Sequence, residues 1–298
     1  MRKIAAITTG LLASSAAHAH DLTPGVSGAH WTFDPCIVVP LVTFGLMYGV
    51  GTLVLSRRRA HRPAAPIWQV VACTAGWLSL MAALMSPLHW LGEQLLSFHM
   101  IEHEILMAVS APLLVIARPI GTLLWSLPRR VRLSTGRWMR LPAADAVWGF
   151  LSGGRTATIL HGMAIWGWHA PLLFDAAVSN VILHRVQHLS FFLTAVLFWW
   201  SVFRRSKTGA AAWHVFITML HTSVLGALMA LAPHLLYREQ QEAAAAWGLT
   251  PLEDQQLAGI IMWVPAGTIY AGAALALIAL WIMRAAKKGE RTDAFHAL

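Results

Sequence analysis

Apolar residues fill seven stretches of the chain, at 37–55, 67–85, 95–117, 156–172, 183–203, 211–233 and 257–283, with polar and charged residues gathered between them. Each stretch is near the roughly 20 residues that a helix needs to cross a hydrocarbon core about 30 Å thick. Lipid offers no hydrogen bonds, so every backbone N–H and C=O must be paired internally. The pattern therefore predicts an all-α polytopic membrane bundle of seven transmembrane helices. A shorter apolar run comes first: Arg2 and Lys3, then Ile4 to Leu12, then small residues ending Ala17-His18-Ala19. That is the layout of a cleavable signal peptide. The expected organisation is a signal peptide at 1–19, a short periplasmic segment at 20–36, the seven-helix domain at 37–283 and a cytoplasmic tail at 284–298.

The charges orient this bundle. If the mature chain starts outside, the inner segments hold Arg57, Arg58, Arg59 and Arg62, then seven arginines between 118 and 155, then Arg204, Arg205 and Lys207, and finally Arg284, Lys287, Lys288 and Arg291. Beyond the signal peptide only Arg185 and Arg238 are left for the outer side, and such asymmetry marks the cytoplasmic face. Most acids fall on the other side, among them Asp34, Glu93, Asp175, Glu239, Glu253 and Asp254. The net charge of +9 thus reads as topology and attraction to membrane lipids, with no nucleic acid as partner. A composition 57% hydrophobic and only 12% charged, against about 25% charged in soluble domains, excludes a soluble globular fold. Two cysteines exclude a disulfide-built scaffold. The longest inner connection, 118–155, carries an apolar patch from Ile120 to Leu127. It either lies along the membrane surface or re-enters as a half-helix, and the sequence leaves both open.

Within this frame the 15 histidines are costly unless they have partners or a function. His99 and His103 fall about 6 and 12 Å below the outer end of the third span by helical rise, and His184 and His188 lie at the outer end of the fifth. Each pair is four residues apart, which places two imidazoles on one helical face, able to hold a metal or to face the other pair. His169 closes the fourth span and His234 the sixth, so six histidines from four helices share the outer third. His89 is in the preceding outer loop, and Met100 and Met107 lie on the third span. Imidazole with thioether or thiolate suits copper, whereas imidazole alone also suits zinc or iron. The expected metal ligands are His99, His103, His184, His188 and His169, with His221, His161, Met107, Cys36 and His20 as lesser candidates. Cys36 faces the outer side, and His20 would offer an amine and an imidazole together after cleavage. His161 and His221 lie deeper and form either a second site, a path inward, or hydrogen bonds within the bundle.

Glu102, Gln187 and Asp254 are read as residues that orient ligand histidines. The run His99-Met100-Ile101-Glu102-His103 matches the H-x-x-E-H pattern of one class of zinc peptidase. The companion stretch His184-Arg185-Val186-Gln187-His188 has an amide where a general base is needed, so an enzyme is not expected. A haem-binding electron-transfer protein would need ligands at two separated depths for stacked haems, and a metal or proton transporter would need a polar path from His103 to His221 and His161.

Several stretches together resemble the CtaG-type cytochrome c oxidase assembly factors of bacterial membranes. They are His99-Met100-x-x-His103 with Leu106-Met107 and Ala111-Pro112-Leu113-Leu114; Trp168-His169-Ala170-Pro171 through Asp175-Ala176-Ala177; His184-x-x-x-His188-Leu189-Ser190-Phe191; His221-Thr222 with Leu225-Gly226-Ala227-Leu228; and Pro251-Leu252-x-Asp254-Gln255-Gln256-Leu257 leading to Ile261-Met262-Trp263-Val264-Pro265. The resemblance implies a part in maturing a haem-copper oxidase of the inner membrane, by handling copper on the periplasmic side, with oxidase subunits or periplasmic copper chaperones as partners. One departure is that Glu102 and Gln187 stand where the family pattern leads one to expect an amide and an acid respectively. N-terminal sequencing of the purified protein is expected to start at His20, and a start at Met1 would contradict cleavage after Ala19.

Overall fold

The computed structural model describes residues 29–58, 65–239 and 244–296, with side chains described as far as 287. The expected signal peptide, His20, Arg59 and Arg62 lie outside the described residues, as do the side chains of Lys288 and Arg291. Among the described residues the chain is helical with no strand. Six helices are long and apolar enough to cross a membrane: α1 (Pro35–Arg58), α2 (Ile67–Met85), α4 (Leu96–Ala117), α10 (Val181–Arg205), α11 (Thr208–Ala230) and α12 (Pro251–His296). A short helix, α3 (Pro87–Gln94), links α2 to α4.

The window at 156–172 behaves differently. It forms α8 (Gly154–Trp168), which has 15 residues and is therefore only about 22 Å long. The chain then leaves the helix at His169 and resumes as α9 (Pro171–Ser179). Proline disfavours the helical region for the residue before it, and Ala170 is extended at φ −63°, ψ 127°. A proline thus cuts this helix short where apolarity alone predicted continuation.

Proline also shapes α4. At Ile105–Ser110 the helix widens to a π turn, and the Ala111 N–H bonds the Leu106 carbonyl. The next N–H in that register would come from Pro112, which has none. The Met107 carbonyl is left without a helical donor, and the indole N–H of Trp199 on α10 supplies one at 2.9 Å. A buried carbonyl needs such a partner, so a defect in one helix fixes its contact with another.

Contacts sort the segments to two ends. At one end Thr32 donates its N–H to the Met85 carbonyl, Arg185 pairs with Asp34 at 2.7 Å, and Arg238 donates its N–H to Asp175. At the other end Arg284 bonds Thr208, and Arg58 and Arg132 stack on Trp125. The 118–155 connection is three short helices, α5 (Pro119–Ser126), α6 (Arg129–Trp138) and α7 (Pro142–Leu151). The first rests on α1, where Thr122 meets Gly51. The other two bury no residue, so neither is inserted in the bundle as a re-entrant half-helix.

The core joins α4, α8, α10, α11 and α12 through Met100, Ile165, Phe191, Phe198, Trp199, Val215, Met229, Met262 and Tyr270. Between α11 and α12 the backbones touch at two glycines. A Cβ on Gly226 would come within 2.8 Å of both the Gly259 carbonyl and the Trp263 nitrogen, and one on Gly259 within 2.6 Å of the Gly226 carbonyl. Small residues permit this approach, which replaces the hydrophobic drive that lipid cannot provide between helices. Gly259→Val is expected to destabilise the detergent-solubilised protein by at least about 1–3 kcal/mol, the usual cost of overpacking. Gly272→Ala, where a Cβ meets nothing within 4 Å, is expected to melt like the wild type. Thermal unfolding followed by circular dichroism checks both.

Candidate metal centre

Two helices bring the paired histidines together, and each begins at a fixed cap. For α4 the cap comes from far along the chain. The Asp254 carboxylate, in the first turn of α12, accepts from the N–H groups of Leu96 at 2.7 Å and Ser97 at 3.1 Å. Those donors have no partner within their own helix, and the negative charge suits the positive end of the helix dipole. For α10 the cap is local, because Asn180 accepts from the N–H groups of Ile182 and Leu183. His99 and His103 then follow in the first turns of α4, as His184 and His188 do on α10.

The two pairs face each other. His99 and His103 ring centroids are 4.4 Å apart and those of His184 and His188 are 4.3 Å apart. Across the interface His99 lies 5.2 Å from His184 and His103 lies 5.0 Å from His188. His99, His103 and His188 are buried, and each offers one ring nitrogen such that all three lie within 4.8 Å of one another. Three nitrogens bound to one ion at about 2.0–2.1 Å sit about 3.3–3.6 Å apart, so the three rings complete a site by drawing together through about an ångström, a shift within the reach of side-chain rotation. Neither His103 nitrogen has a hydrogen-bond partner among the described residues, nor has Nε2 of His188. Buried nitrogens without partners cost about 1–3 kcal/mol each, and a cation ligated there would offset that. His184 is half-buried and flanks the group.

One histidine absent from the expected ligands borders the group. His89, buried on α3, has its ring 5.9 Å from His184 and 6.3 Å from His188. Its Nδ1 meets Glu102 Oε1 at 2.9 Å and its Nε2 lies 3.8 Å from Glu93. Burial alone would lower the His89 imidazole, but the Glu102 carboxylate, with Glu93 and Asp34 beyond it, raises it to about 9. With Nδ1 engaged by that carboxylate, His89 pairs with Glu102 beside the histidine group. Gly92 makes this approach possible, since a Cβ there would be 2.9 Å from the Glu102 carboxyl carbon. The Ser86-Pro87 start signal for a short helix was legible in the sequence, and the buried Glu102 implied a cationic partner nearby.

The remaining candidates fall at various distances from the group. His169 joins it, with its ring 6.1 Å from His103. Its Nε2 lies 3.4 Å from the sulfur of Met100, and its Nδ1 2.7 Å from the Ile165 carbonyl. Met100 is thus the thioether beside a histidine, while Met107 packs in the apolar core. Cys36 is exposed, with its N–H bonded to Asp34. His234 is exposed, and its carbonyl accepts from Gln255. Asp254 caps α4 through both carboxylate oxygens, and among the described residues no histidine is bonded to it. Gln187 is buried with no hydrogen bond to its amide among the described residues, and Glu102 orients His89 instead of one of the expected ligands.

His161 and His221 lie apart from the cluster, on α8 and α11. The Thr194 hydroxyl gives its hydrogen to the Ser190 carbonyl and so accepts from His161 Nδ1–H at 3.1 Å. Trp166 donates to His221 Nδ1 at 3.3 Å, which puts the proton of a neutral His221 on Nε2. One bare nitrogen and one N–H do not make a two-nitrogen metal site. Glu104, beside His103, was not singled out from the sequence, yet its Oε2 is buried without a partner among the described residues.

Residues 46–284 match the protein family described as cytochrome c oxidase caa3 assembly factor. No curated protein and no solved structure matches the chain.

Asp254→Ala strands two buried N–H groups at the start of α4 and is expected to cost about 1–3 kcal/mol each at most. Thermal melts check this, with Glu253→Ala, an exposed neighbour, expected to have the smaller effect.

Proposed function

The chain belongs to the cytochrome c oxidase caa3 assembly factor family, and on that premise we propose that it matures a haem-copper oxidase by holding copper as cargo between α4 and α10. The observation that carries this reading is the buried trio His99, His103 and His188, with ring nitrogens within 4.8 Å of one another. Neutral imidazoles ligate transition metals, and a trio without a thiolate holds the cargo weakly enough to release it. Copper passes from a periplasmic chaperone to this site and on to an oxidase subunit. His184 flanks the route, beside the half-buried end of α10.

In this reading the protein lies in the bacterial inner membrane with seven crossings, α8 being the short fourth. The arginine-rich end is cytoplasmic, as is the C-terminus, and the histidine end is periplasmic. The site holds metal and does not catalyse hydrolysis, since the glutamate of the H-x-x-E-H match is occupied by His89. Haem fits less well. A porphyrin would have to separate rings that meet edge to face, with Phe174 and Phe191 packed against His99 and His103. A transport path inward is interrupted by Ile165, fully buried on the α8 face between His161 and His169.

Replacing His103 and His188 together by alanine is expected to abolish copper retained by the purified protein and to lower the copper, but not the haem, of the client oxidase. Elemental analysis of both proteins, with an absorption spectrum of the oxidase, checks this. Undiminished oxidase copper would contradict the proposal. A strong Soret band from the purified wild-type factor itself would favour haem binding instead.

A further inference from the structure

The contact between His169 and Met100 has an unusual composition. The Ile165 carbonyl can only accept, so the 2.7 Å contact requires a proton on His169 Nδ1. A neutral imidazole carries one N–H, which leaves Nε2 a bare lone pair. That lone pair faces the Met100 thioether at 3.4 Å, and a thioether has no hydrogen to give. Both residues are buried, at 4% and 1% exposure. Adding a second proton would bury a cation, and among the described residues no carboxylate is bonded to His169.

The arrangement is held from several directions. Tyr237 donates its hydroxyl to the His169 carbonyl at 3.0 Å, Pro171 follows the helix end two residues on, and Met100 lies one turn beyond the Asp254-capped start of α4. Two donor atoms 3.4 Å apart subtend roughly 105° at an ion about 2.0 Å from nitrogen and about 2.3 Å from sulfur, close to tetrahedral. Thioether with imidazole is a soft pair that selects monovalent copper over zinc. The ring of His103 is 6.1 Å away, so the pair adjoins the trio.

We infer that Met100 and His169 form a subsite for a soft monovalent cation, copper(I), beside the three-histidine site. The inference rests on the copper reading of that site. It gives the cargo an oxidation state, and it gives the site a step between thioether-containing and all-imidazole ligation.

The test uses the full-length protein in detergent, titrated separately with Ag(I), a soft monovalent ion without redox chemistry in water, and with Zn(II). Met100→Leu conserves volume and apolarity, so the fold should tolerate it. It is expected to weaken Ag(I) at least about tenfold, through loss of the soft ligand, and to leave Zn(II) unchanged. Met107→Leu is expected to change neither. Unchanged Ag(I) affinity in Met100→Leu, an equal loss in Met107→Leu, or a parallel fall in Zn(II) would each overturn the inference. If Zn(II) binds the wild type and is lost in His103→Ala while Met100→Leu has no effect on Ag(I), only the subsite fails. If the wild type binds neither ion, the copper reading fails with it.

Discussion

Four imidazoles pressed together inside a membrane protein set the terms for everything around them. The rings of His99 and His103 meet those of His184 and His188 at centroid separations of 5.0–5.7 Å, in a place where charge is expensive and lone pairs need partners. Such a group is stable only if the rings stay neutral, each N–H finds an acceptor and each lone pair a donor or a metal. The neighbouring structure keeps charge out of the group itself. The nearest acid, Glu102, is paired with His89 from above, and Asp254 spends its charge on two backbone donors. The helices that carry the imidazoles are tied at their first turns, one by Asp254 and the other by Asn180 and the Arg185–Asp34 pair.

The same rule of partner-finding operates lower in the bundle with a different outcome. Pro112 removes a donor from α4 and Trp199 replaces it; Thr194 and Trp166 each engage one nitrogen of the deeper histidines. These are hydrogen-bonded joints between helices, of the kind that lipid favours. They contrast with His103, whose two nitrogens have no hydrogen-bond partner among the described residues. The deeper histidines are each fastened through one nitrogen, whereas His99, His103 and His188 bring three ring nitrogens within 4.8 Å of one another.

Spacing along the chain made the paired histidines legible, because four residues place two side chains on one face of any helix. Apolar windows likewise gave the helical class and six of the long helices. What spacing does not encode is which neighbour a face meets. Met100 and Met107 are seven residues apart on α4, about two turns, and it is the sulfur of Met100 that lies 3.4 Å from His169. His89 was seen in the sequence but left out of the ligand set, since the folding of α3 back over Glu102 depends on Gly92. Asp254 was read as a partner of histidine when its carboxylate in fact holds the start of a helix that precedes it by 158 positions. His234 shared the depth of the others by residue count but lies in a loop that turns it outward.

Whether these imidazoles hold copper decides the function. X-ray absorption at the copper edge, on protein purified from copper-replete cells without added metal, tests it most directly. Stoichiometric copper is expected, with a spectrum that shows the multiple scattering of imidazole and loses it when His103 is replaced. Protein that carries no copper, or copper bound only by oxygen ligands and indifferent to His103, would contradict it.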